Sequence, residues 1–309
     1  MSKLRIGTRA SALAQVQSNQ VADLLSERTG RETELVKVST EGDVNQRPLT
    51  EFGGAGVFVS ALREALLEGE VDVAVHSLKD LPTAAAPGIA LAAVPLREDP
   101  RDAVVARDGL TLGELPAGST VGTGSPRRAA QLRALGLGLE VQPVRGNVGT
   151  RIGLVTDGKL DAVVLAYAGL RRVGLADQVT EVLDPLLMLP APGQGALAVE
   201  CRADEAELVE QLREALDDPA SRTAVSAERS VLAALEAGCS APVGALAEVA
   251  LGEGGEEVWI RAVAAAVDGT QIVKMSTSGA VDDPVGLGEA LARDMIADGA
   301  SALLGERVP

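Results

Sequence analysis

The sequence predicts an α/β protein of two similar lobes with a cleft between them, followed by a small α+β domain. The length of 309 residues exceeds what one hydrophobic core usually supports. Apolar strand patterns that end in polar or glycine-rich turns alternate with helical patterns along the first part of the chain. Aromatic residues make up only 1% of the chain and hydrophobic residues 46%, so Ala, Val and Leu must fill cores between helices and sheets.

The first lobe begins with a strand and an amphipathic helix, for which Ser11 is the expected N-cap and Gly30 the end. Further on, alternating valines predict a strand with the polar run His76–Asp80 at its carboxyl end. The predicted elements are a strand over residues 3–7, a helix with apolar positions from Leu13 to Leu25, a helix from Val57 to Leu67 and a strand from Val71 to Val75.

The second lobe repeats this order beyond Pro100. Its predicted elements are a strand and turn over residues 120–125, a helix from Pro126 to Leu135 capped by Ser125, and a strand after Gly158. Residues 121–123 resemble residues 6–8, and residues 158–164 resemble residues 69–75, which indicates an internal repeat. Because open parallel sheets bind ligands beyond the carboxyl ends of their strands, we expect both lobes to offer loops to one ligand.

The run Leu189–Gly195 is predicted to cross between the lobes, and residues 196–199 to return to the first lobe as a strand. From about Pro219 the sequence pattern changes, and it predicts an α+β domain with an antiparallel sheet. Its elements are a helix from Ala224 to Leu235, strands over 245–251, 258–267 and 272–278, and a helix over 287–296. The predicted domains are residues 1–96 with 196–216, residues 97–195 and residues 217–309.

Composition excludes several classes of function. The formal charge of 28 − 44 = −16 would repel a nucleic-acid backbone, and four aromatic residues offer no base-stacking platform. No stretch reaches the roughly 20 apolar residues of a membrane span, so we expect a cytoplasmic protein. Two cysteines, Cys201 and Cys239, and the single histidine His76 can form neither a disulfide framework nor a zinc site, so no metal is expected.

Many basic residues stand next to glycines or at predicted strand ends, which suggests an internal site for anions. The alternative for each is an ordinary solvated or ion-paired side chain. A phosphate ligand is disfavoured because no GxxxxGK[ST] motif, and no GxGxxG motif followed by an acidic residue, is present. The residues concerned are Arg9, Lys79, Arg127, Arg128, Arg145, Arg151, Arg171 and Arg172.

Four other side chains have both a functional and a structural interpretation. Asp80 could stabilise a developing cation at the cleft, or it could be a turn former before Pro82. Cys239 lies in a Gly-Cys-Ser loop and is a candidate reactive thiol, whereas Cys201 fits a small core residue. His76 closes an apolar strand and could be a ligand, although a structural role is expected. Phe58 could stack on a flat ligand or pack at a helix start.

Taken in order, these motifs resemble the porphobilinogen deaminase family over essentially the whole chain. The matching runs are Ile6-Gly7-Thr8-Arg9 with Ser11, Val75 to Pro82, Gly124-Ser125-Pro126-Arg127-Arg128, Arg145-Gly146-Asn147-Val148 with Thr150-Arg151, Ala168 to Arg172, and Gly238-Cys239.

The resemblance implies two lobes like those of type II periplasmic binding proteins and a third domain with the cysteine. It further implies a monomeric transferase of heme and porphyrin biosynthesis that holds a dipyrromethane cofactor through a Cys239 thioether. On this cofactor the enzyme would condense porphobilinogen units head to tail with loss of ammonia, and then release the linear tetrapyrrole hydroxymethylbilane by hydrolysis.

The resemblance also implies roles for single residues. Asp80 matches the catalytic aspartate, which would hold pyrrole N–H groups, assist loss of the amino group as a proton donor and stabilise the azafulvenium cation. The cofactor-binding residues would be Ser77, Lys79, Asp80, Ser125, Arg127, Arg128, Gly146 and Cys239. The substrate-binding residues would be Arg9, Ser11, Phe58, Arg145, Arg151, Arg172 and Gln194, with Arg171 the weaker match of its pair.

One departure concerns the glycine-rich loop before the second helix. Family members often have lysines there, and Glu51 and Ala55 occupy the matching positions in this chain. Rival functions are a non-catalytic solute-binding domain of the same build, which predicts no covalent adduct, and a phosphoribosyl transferase, which would need phosphate-binding loops. A purely structural protein would not gather arginines around glycine turns.

Overall fold

The computed structural model of the chain describes residues 3–38, 56–238, 241–252 and 254–304, with side chains for all of these except residues 56–58. The chain forms two compact units. The first comprises residues 1–98 and 195–222, and the second comprises residues 99–194 and 223–309. The first unit is discontinuous in sequence, because the chain leaves it after Glu98 and returns to it at Gly195.

The first unit is built on a five-stranded sheet. Its elements are β1 Leu4–Thr8, α1 Ala12–Thr29, β2 Thr33–Lys37, α2 Gly56–Leu67, β3 Val73–Ser77, a 3₁₀ turn Leu78–Asp80, β4 Ile89–Ala93, β10 Leu197–Arg202 and α6 Ala206–Leu216. The strand order is β2-β1-β3-β10-β4. Strands β1, β2 and β3 are parallel, and β10 is antiparallel to β3 and β4.

Local sequence signals explain where the first helix begins and ends. Ser11 has an extended backbone, and its side chain accepts a hydrogen bond from the Ala14 N–H. Gly30 adopts a left-handed φ of 68° and ends the helix. Helices α1 and α6 bury apolar residues against one face of the sheet, and α2 packs on the other face around Leu62 and Ala74. Both faces of the sheet are therefore covered, as is usual for sheets rich in parallel strands.

The second unit contains a sheet of the same design. Its elements are β5 Asp102–Ala106, β6 Thr120–Thr123, α3 Pro126–Ala134, β7 Glu140–Pro143, α4 Val148–Thr156, β8 Ala162–Ala166, α5 Tyr167–Arg172 and β9 Glu181–Val182, with short 3₁₀ turns at Arg107–Gly109, Leu112–Glu114 and Ala176–Gln178. The strand order is β7-β6-β8-β5-β9. Strand β6 is parallel to β7 and β8, and β5 is antiparallel to β8 and β9.

The predicted internal repeat is confirmed, because β1 and β6 hold the same place in the two sheet orders. Each strand contains a glycine that a helix or loop approaches closely. A Cβ atom on Gly7 would lie 2.9 Å from Leu62 Cδ2, and one on Gly122 would lie 2.6 Å from Leu160 Cδ1. Only glycine therefore fits at either position without a shift of its neighbours.

The second unit also contains a three-stranded antiparallel sheet of order β11-β12-β13. Its elements are α7 Pro219–Ala234, β11 Val243–Gly252, β12 Gly255–Ala265, β13 Ile272–Ala280, α8 Pro284–Ala297 and α9 Ala300–Leu303. One face of the sheet packs on α7 and α8 around buried Val231, Ile260 and Leu291. The expected α+β domain is thus present.

The fold class expected from the sequence, two α/β lobes and a small α+β domain with three antiparallel strands, is confirmed. Several element bounds differ from expectation by a few residues. Helix α7 begins at Pro219 rather than Ala224, because Asp218 Oδ1 accepts the Ser221 N–H at 2.8 Å and provides an earlier cap. Strand β3 covers Val73–Ser77 and therefore includes His76, which was expected to follow it.

Candidate active site

The first group of expected site residues lies at the carboxyl edge of the first sheet. Strands β1 and β3 are parallel neighbours, with Ile6 paired to Val73. Arg9 follows β1 directly, and Lys79 and Asp80 follow β3 within the 3₁₀ turn. Because parallel strands end at the same edge of a sheet, these side chains belong to one part of the surface of the first unit.

The 3₁₀ turn is anchored on both sides by hydrogen bonds. The buried Gln17 of α1 donates from Nε2 to Ser77 Oγ at 2.9 Å, and Ser77 Oγ donates to Gln17 Oε1 at 3.2 Å. The Leu78 N–H donates to the Ala196 carbonyl oxygen at 3.0 Å, just before β10. The backbone of the turn is thus fixed to a helix and to the neighbouring strand before any ligand binds.

Asp80 itself is half-buried. Among the described residues, its carboxylate forms no hydrogen bond and no ion pair. A carboxylate held on a fixed turn without a protein partner keeps its acceptor capacity for the N–H groups or the positive charge of a ligand.

The second group lies at the carboxyl edge of the second sheet. Ser125 follows β6, and its Oγ accepts the Arg128 N–H at 3.4 Å as the N-cap of α3, with Pro126 in the first turn. Arg145 follows β7 and is exposed. Helix α5 begins directly after β8 and ends at Arg172. The two parallel pairs that β6 forms place these segments at one edge of the second unit.

Three expected ligand-binding side chains meet at one buried carboxylate, which sequence reasoning missed. Asp102 is 0% exposed, and its Oδ1 accepts from Arg128 Nε at 3.0 Å, Arg128 Nη2 at 2.7 Å and Gln194 Nε2 at 2.7 Å. Its Oδ2 lies 2.8 Å from Arg127 Nη1 in an ion pair. Burial alone would raise the pKa of Asp102, but the charges of Arg127 and Arg128 hold it well below its usual range.

Arg127 and Arg128 are therefore almost fully buried, with 3% and 5% exposure. Arg127 also donates to the Leu189 carbonyl oxygen, and Arg128 Nη1 donates to the Val164 carbonyl oxygen at 3.1 Å. Burial, followed by the charge of Arg128, lowers the pKa of Arg127, although Asp102 opposes this shift. Most donors of these two side chains therefore point inside the protein.

Gln194 is also buried, at 0% exposure. Its Nε2 donates to Asp102 and, at 2.7 Å, to the Pro100 carbonyl oxygen, and its Oε1 accepts from Arg128 Nη2 at 3.3 Å. The preceding segment is held in the same way, because the Gly193 N–H donates to the buried Glu228 of α7 at 2.7 Å. The segment from 189 to 194 is a fixed part of the second unit.

Arg151 is crowded by other positive charges. Its Nε donates to the Gly146 carbonyl oxygen at 2.9 Å. Burial, followed by the charges of Arg128 and Arg145, lowers the pKa of Arg151. Gly146 has a φ of 104°, and a Cβ there would lie 2.8 Å from the Thr150 side chain, so the turn requires glycine. The turn thus holds guanidinium groups close together, an arrangement that an anion would stabilise.

The remaining arginines of this edge lie on α5. The Arg171 guanidinium carbon lies 6.0 Å from the centroid of the Tyr167 ring. Arg171 is exposed and Arg172 is half-buried.

Several expected residues lie outside the described part of the chain: Cys239, the side chain of Phe58, and Glu51 and Ala55 of the glycine-rich loop. The other cysteine, Cys201, is fully buried, and burial raises its pKa to about 11. His76 is buried with its Nε2 at 3.3 Å from Glu200 Oε2. These two residues are accordingly packed inside the first unit.

The described residues offer neither a metal-binding cluster nor a membrane span. No group of three or more His, Cys, Asp or Glu side chains there could hold a metal ion. No helix in the described ranges is both long enough and apolar enough to cross a bilayer.

Comparisons with known proteins agree over nearly the whole length. The family model described as porphobilinogen deaminase, dipyromethane cofactor binding domain, matches residues 4–210. The model described as porphobilinogen deaminase, C-terminal domain, matches residues 222–297.

Individual relatives show the same likeness. The chain is 58% identical over 313 residues to porphobilinogen deaminase 1 of Streptomyces coelicolor, and the alignment covers 98% of each chain. It is 57% identical over 306 residues to the porphobilinogen deaminase of Mycobacterium tuberculosis, which covers 97% of this chain and 98% of the relative. Among solved structures, the methionine-binding protein MetQ is 16% identical with a TM-score of 0.45, covering 69% of this chain and 89% of that one.

Proposed function

The chain belongs to the porphobilinogen deaminase family, and from that premise we propose that it condenses porphobilinogen units head to tail on a covalently bound dipyrromethane. One ammonia is lost at each condensation, and hydrolysis then releases the linear tetrapyrrole hydroxymethylbilane. The enzyme is accordingly a transferase of heme and porphyrin biosynthesis.

One observation carries this proposal: positive charge is concentrated at the carboxyl edge of the second sheet of a protein with a net charge of −16. Arg128, Arg145 and Arg151 lie close enough that the first two lower the pKa of the third. Each porphobilinogen unit bears an acetate and a propionate group, and guanidinium forks suit carboxylates. The residues present therefore fit both the substrate and a cofactor made of the same pyrroles.

The roles that we propose for single residues follow this charge pattern. Carboxylates of the dipyrromethane would be held by Ser77, Lys79, Ser125, Arg127, Arg128 and Gly146, and those of the incoming substrate by Arg9, Ser11, Arg145, Arg151 and Arg172, with Gln194 and Phe58 as further substrate contacts. Cys239 would form the thioether to the dipyrromethane, which supplies the pyrrole carbon on which the product chain grows.

Asp80 would stabilise the positive charge that develops on the substrate during the reaction. The aminomethyl nitrogen of the substrate must be protonated before the C–N bond breaks. It then leaves as neutral ammonia with the electron pair of that bond, and the remaining azafulvenium ion is cationic. A carboxylate that holds the pyrrole N–H also stabilises this charge. At about 4 Å and an effective dielectric constant near 20, the attraction is roughly 4 kcal/mol. If it acts only in the transition state, it accelerates the step about a thousandfold.

The proposal includes the organisation and setting of the enzyme. We propose three domains, residues 1–96 with 196–216, residues 97–195 and residues 217–309, and a monomer that works in the cytoplasm on a small-molecule substrate. The strongly acidic charge argues against nucleic acid as a partner. A chain with two cysteines depends on no disulfide framework, which suits a reducing compartment.

Intact-protein mass spectrometry tests the covalent part of the proposal. Freshly isolated protein should be heavier than its sequence by two pyrrole units under denaturing conditions, and Cys239→Ser should lack this addition. Cys201→Ala is the matched control, because Cys201 is buried in the first unit and should leave the addition unchanged. An unmodified mass in active wild-type protein would contradict the proposal and favour a solute-binding protein of similar build.

Asp80→Asn tests the catalytic assignment. The amide keeps the size of the side chain and removes its charge, so we expect porphobilinogen binding to persist while kcat falls about a thousandfold. Asp157→Asn, at an exposed carboxylate that forms an ion pair with Lys159, is the charge-matched control and should leave kcat unchanged. A normal kcat in Asp80→Asn would remove Asp80 from the reaction.

A further inference from the structure

The carboxylate of Asp102 contacts two neighbouring arginines at once. It is the first residue of β5, and its carboxylate lies against the guanidinium groups of the consecutive residues Arg127 and Arg128 in the first turn of α3. Oxygen Oδ1 accepts both Nε and Nη2 of Arg128, at 3.0 and 2.7 Å, and Oδ2 lies 2.8 Å from Arg127 Nη1. Two side chains that would otherwise repel each other are thereby fixed in one orientation.

The charges of this group do not balance. One carboxylate faces two guanidinium groups, and all three side chains are at most 7% exposed. The pair formed by the half-buried Arg63 and the buried Glu200 of the first unit is different, because one guanidinium there binds one carboxylate in two hydrogen bonds of 2.9 and 2.6 Å. A surplus positive charge shielded from water is costly unless an anion compensates it.

Unused hydrogen-bond donors provide a second, independent observation. Nε and Nη2 of Arg127 are buried and have no hydrogen-bond partner within the described part of the chain. Buried polar groups in proteins nearly always have a partner, and orphaned ones often mark a place that a ligand or ordered water fills. The surplus charge and the orphaned donors belong to the same side chain.

We propose that Asp102 is a positioning residue of the dipyrromethane site, which orients Arg127 and Arg128 so that the pair compensates a carboxylate of the cofactor. Asp102 does not touch the ligand and acts through the two arginines. Gln194 supports it, because the amide donates to the same carboxylate oxygen at 2.7 Å. The inference rests on the proposed function and adds to it a residue that the sequence motifs did not indicate.

Cofactor binding could depend on the positive charge of the arginine pair or on the orientation of the two guanidinium groups. These two explanations predict opposite results for Asp102→Asn, which makes the variant decisive. The amide has the same shape but removes one negative charge, so the arginine pair becomes more positive. If positive potential alone governed cofactor binding, loading would stay the same or improve. If orientation governs it, loading falls, because the amide that replaces the carboxylate can accept only part of the hydrogen bonds that the carboxylate accepts.

The measurement is the fraction of protein that bears the two-pyrrole addition, by intact mass, after incubation with porphobilinogen. We expect this fraction to fall about tenfold or more in Asp102→Asn, since hydrogen bonds to charged groups are each worth roughly a factor of ten. Undiminished loading would overturn the inference.

Glu200→Gln is the matched control, because it removes the charge of a buried carboxylate paired with an arginine in the first unit. We expect normal loading in this variant despite lower stability. An equal loss of loading in Glu200→Gln would show that Asp102 acts only through stability, which contradicts the inference.

Gln194→Leu provides a second variant if Asp102→Asn does not fold, because it removes one hydrogen bond to Asp102 and changes no charge. A several-fold loss of loading supports the inference, and full loading contradicts it. Wild-type protein distinguishes a failure of the proposed function from a failure of the role of Asp102. If it bears no addition, the proposed function fails, whereas if it and Asp102→Asn load equally, only the role of Asp102 fails.

Discussion

Glu200 allows the contribution of one buried charge to be measured in the first unit. Its carboxylate accepts two hydrogen bonds from Arg63 and lies 3.3 Å from His76 Nε2, and only 2% of the residue is exposed. Burial alone would raise the pKa of Glu200. The hydrogen bonds of Arg63, followed by the effect of the neighbouring His76 side chain, outweigh burial and lower this pKa from 4.5 to about 2.

A carboxyl group whose pKa is lower in the folded than in the unfolded state stabilises the fold above its unfolded pKa. The stabilisation is lost as the pH falls from about 4.5 towards about 2. The difference in pKa corresponds to about 3 kcal/mol at pH 7 and to less than half of that at pH 3. Glu200→Gln should therefore lower the free energy of unfolding of the first unit by these amounts. A loss of about 3 kcal/mol also agrees with the cost of leaving one partner of a buried ion pair alone.

The assay must observe the first unit by itself, because the two units need not unfold together. Hydrogen exchange in increasing urea, followed by mass spectrometry of peptides from α2 and β10, reports on the elements that bear Arg63 and Glu200. Trp259 lies on β12 of the second unit, so its fluorescence provides an internal control that should not change. Equal stability of wild type and variant at pH 7 would refute the reasoning, and an effect of the same size at pH 3 would assign the loss to packing rather than to charge.

Three further outcomes are expected. Native protein should present no reactive thiol to iodoacetamide, and unfolded protein should present one. Burial raises the pKa of Cys201 to about 11 in the native state, and Cys239 is proposed to be blocked by the thioether in both states. Two reactive thiols in native protein would count against both statements. Arg151→Met should stabilise the adduct-free protein by about 1 kcal/mol in thermal unfolding and raise KM for porphobilinogen. The reason is that burial and neighbouring positive charges disfavour the guanidinium until an anion binds. A lower melting temperature with unchanged KM would argue that the site does not bind anions. Gly146→Ala should cost about 1–3 kcal/mol in urea unfolding and raise KM, because its φ of 104° and the Thr150 side chain leave no room for a Cβ; unchanged values would show that the turn adapts.

Much of the fold could be predicted because its signals are local. Ser125 and Pro126 mark the start of a helix within two residues, and Gly30 marks the end of another. The placing of Arg9 and Asp80 at one sheet edge also follows from short-range patterns. Arg9 comes directly after an apolar strand and Asp80 three residues after another, and the strands are parallel.

The partners of the site residues could not be predicted in this way. Arg128 binds Asp102, which lies 26 residues earlier on an apolar strand and has no motif of its own. Gln194 reaches the same carboxylate from 92 residues further along the chain. Such contacts depend on which strands become neighbours in the sheet. The only sequence signal for Asp102 is an acidic side chain at the start of the strand Asp-Ala-Val-Val-Ala, where a carboxylate requires a buried cation.

The return of the chain to the first unit has a consequence for synthesis on the ribosome. Strand β10 lies in the interior of the first sheet, between β3 and β4, yet its residues 197–202 are translated after every strand of the second sheet. The amino-terminal sheet of a nascent chain therefore lacks an interior strand, while residues 102–182 can already pair among themselves. Domains generally fold as units in the order in which they emerge. Here the lobe that starts first is completed second.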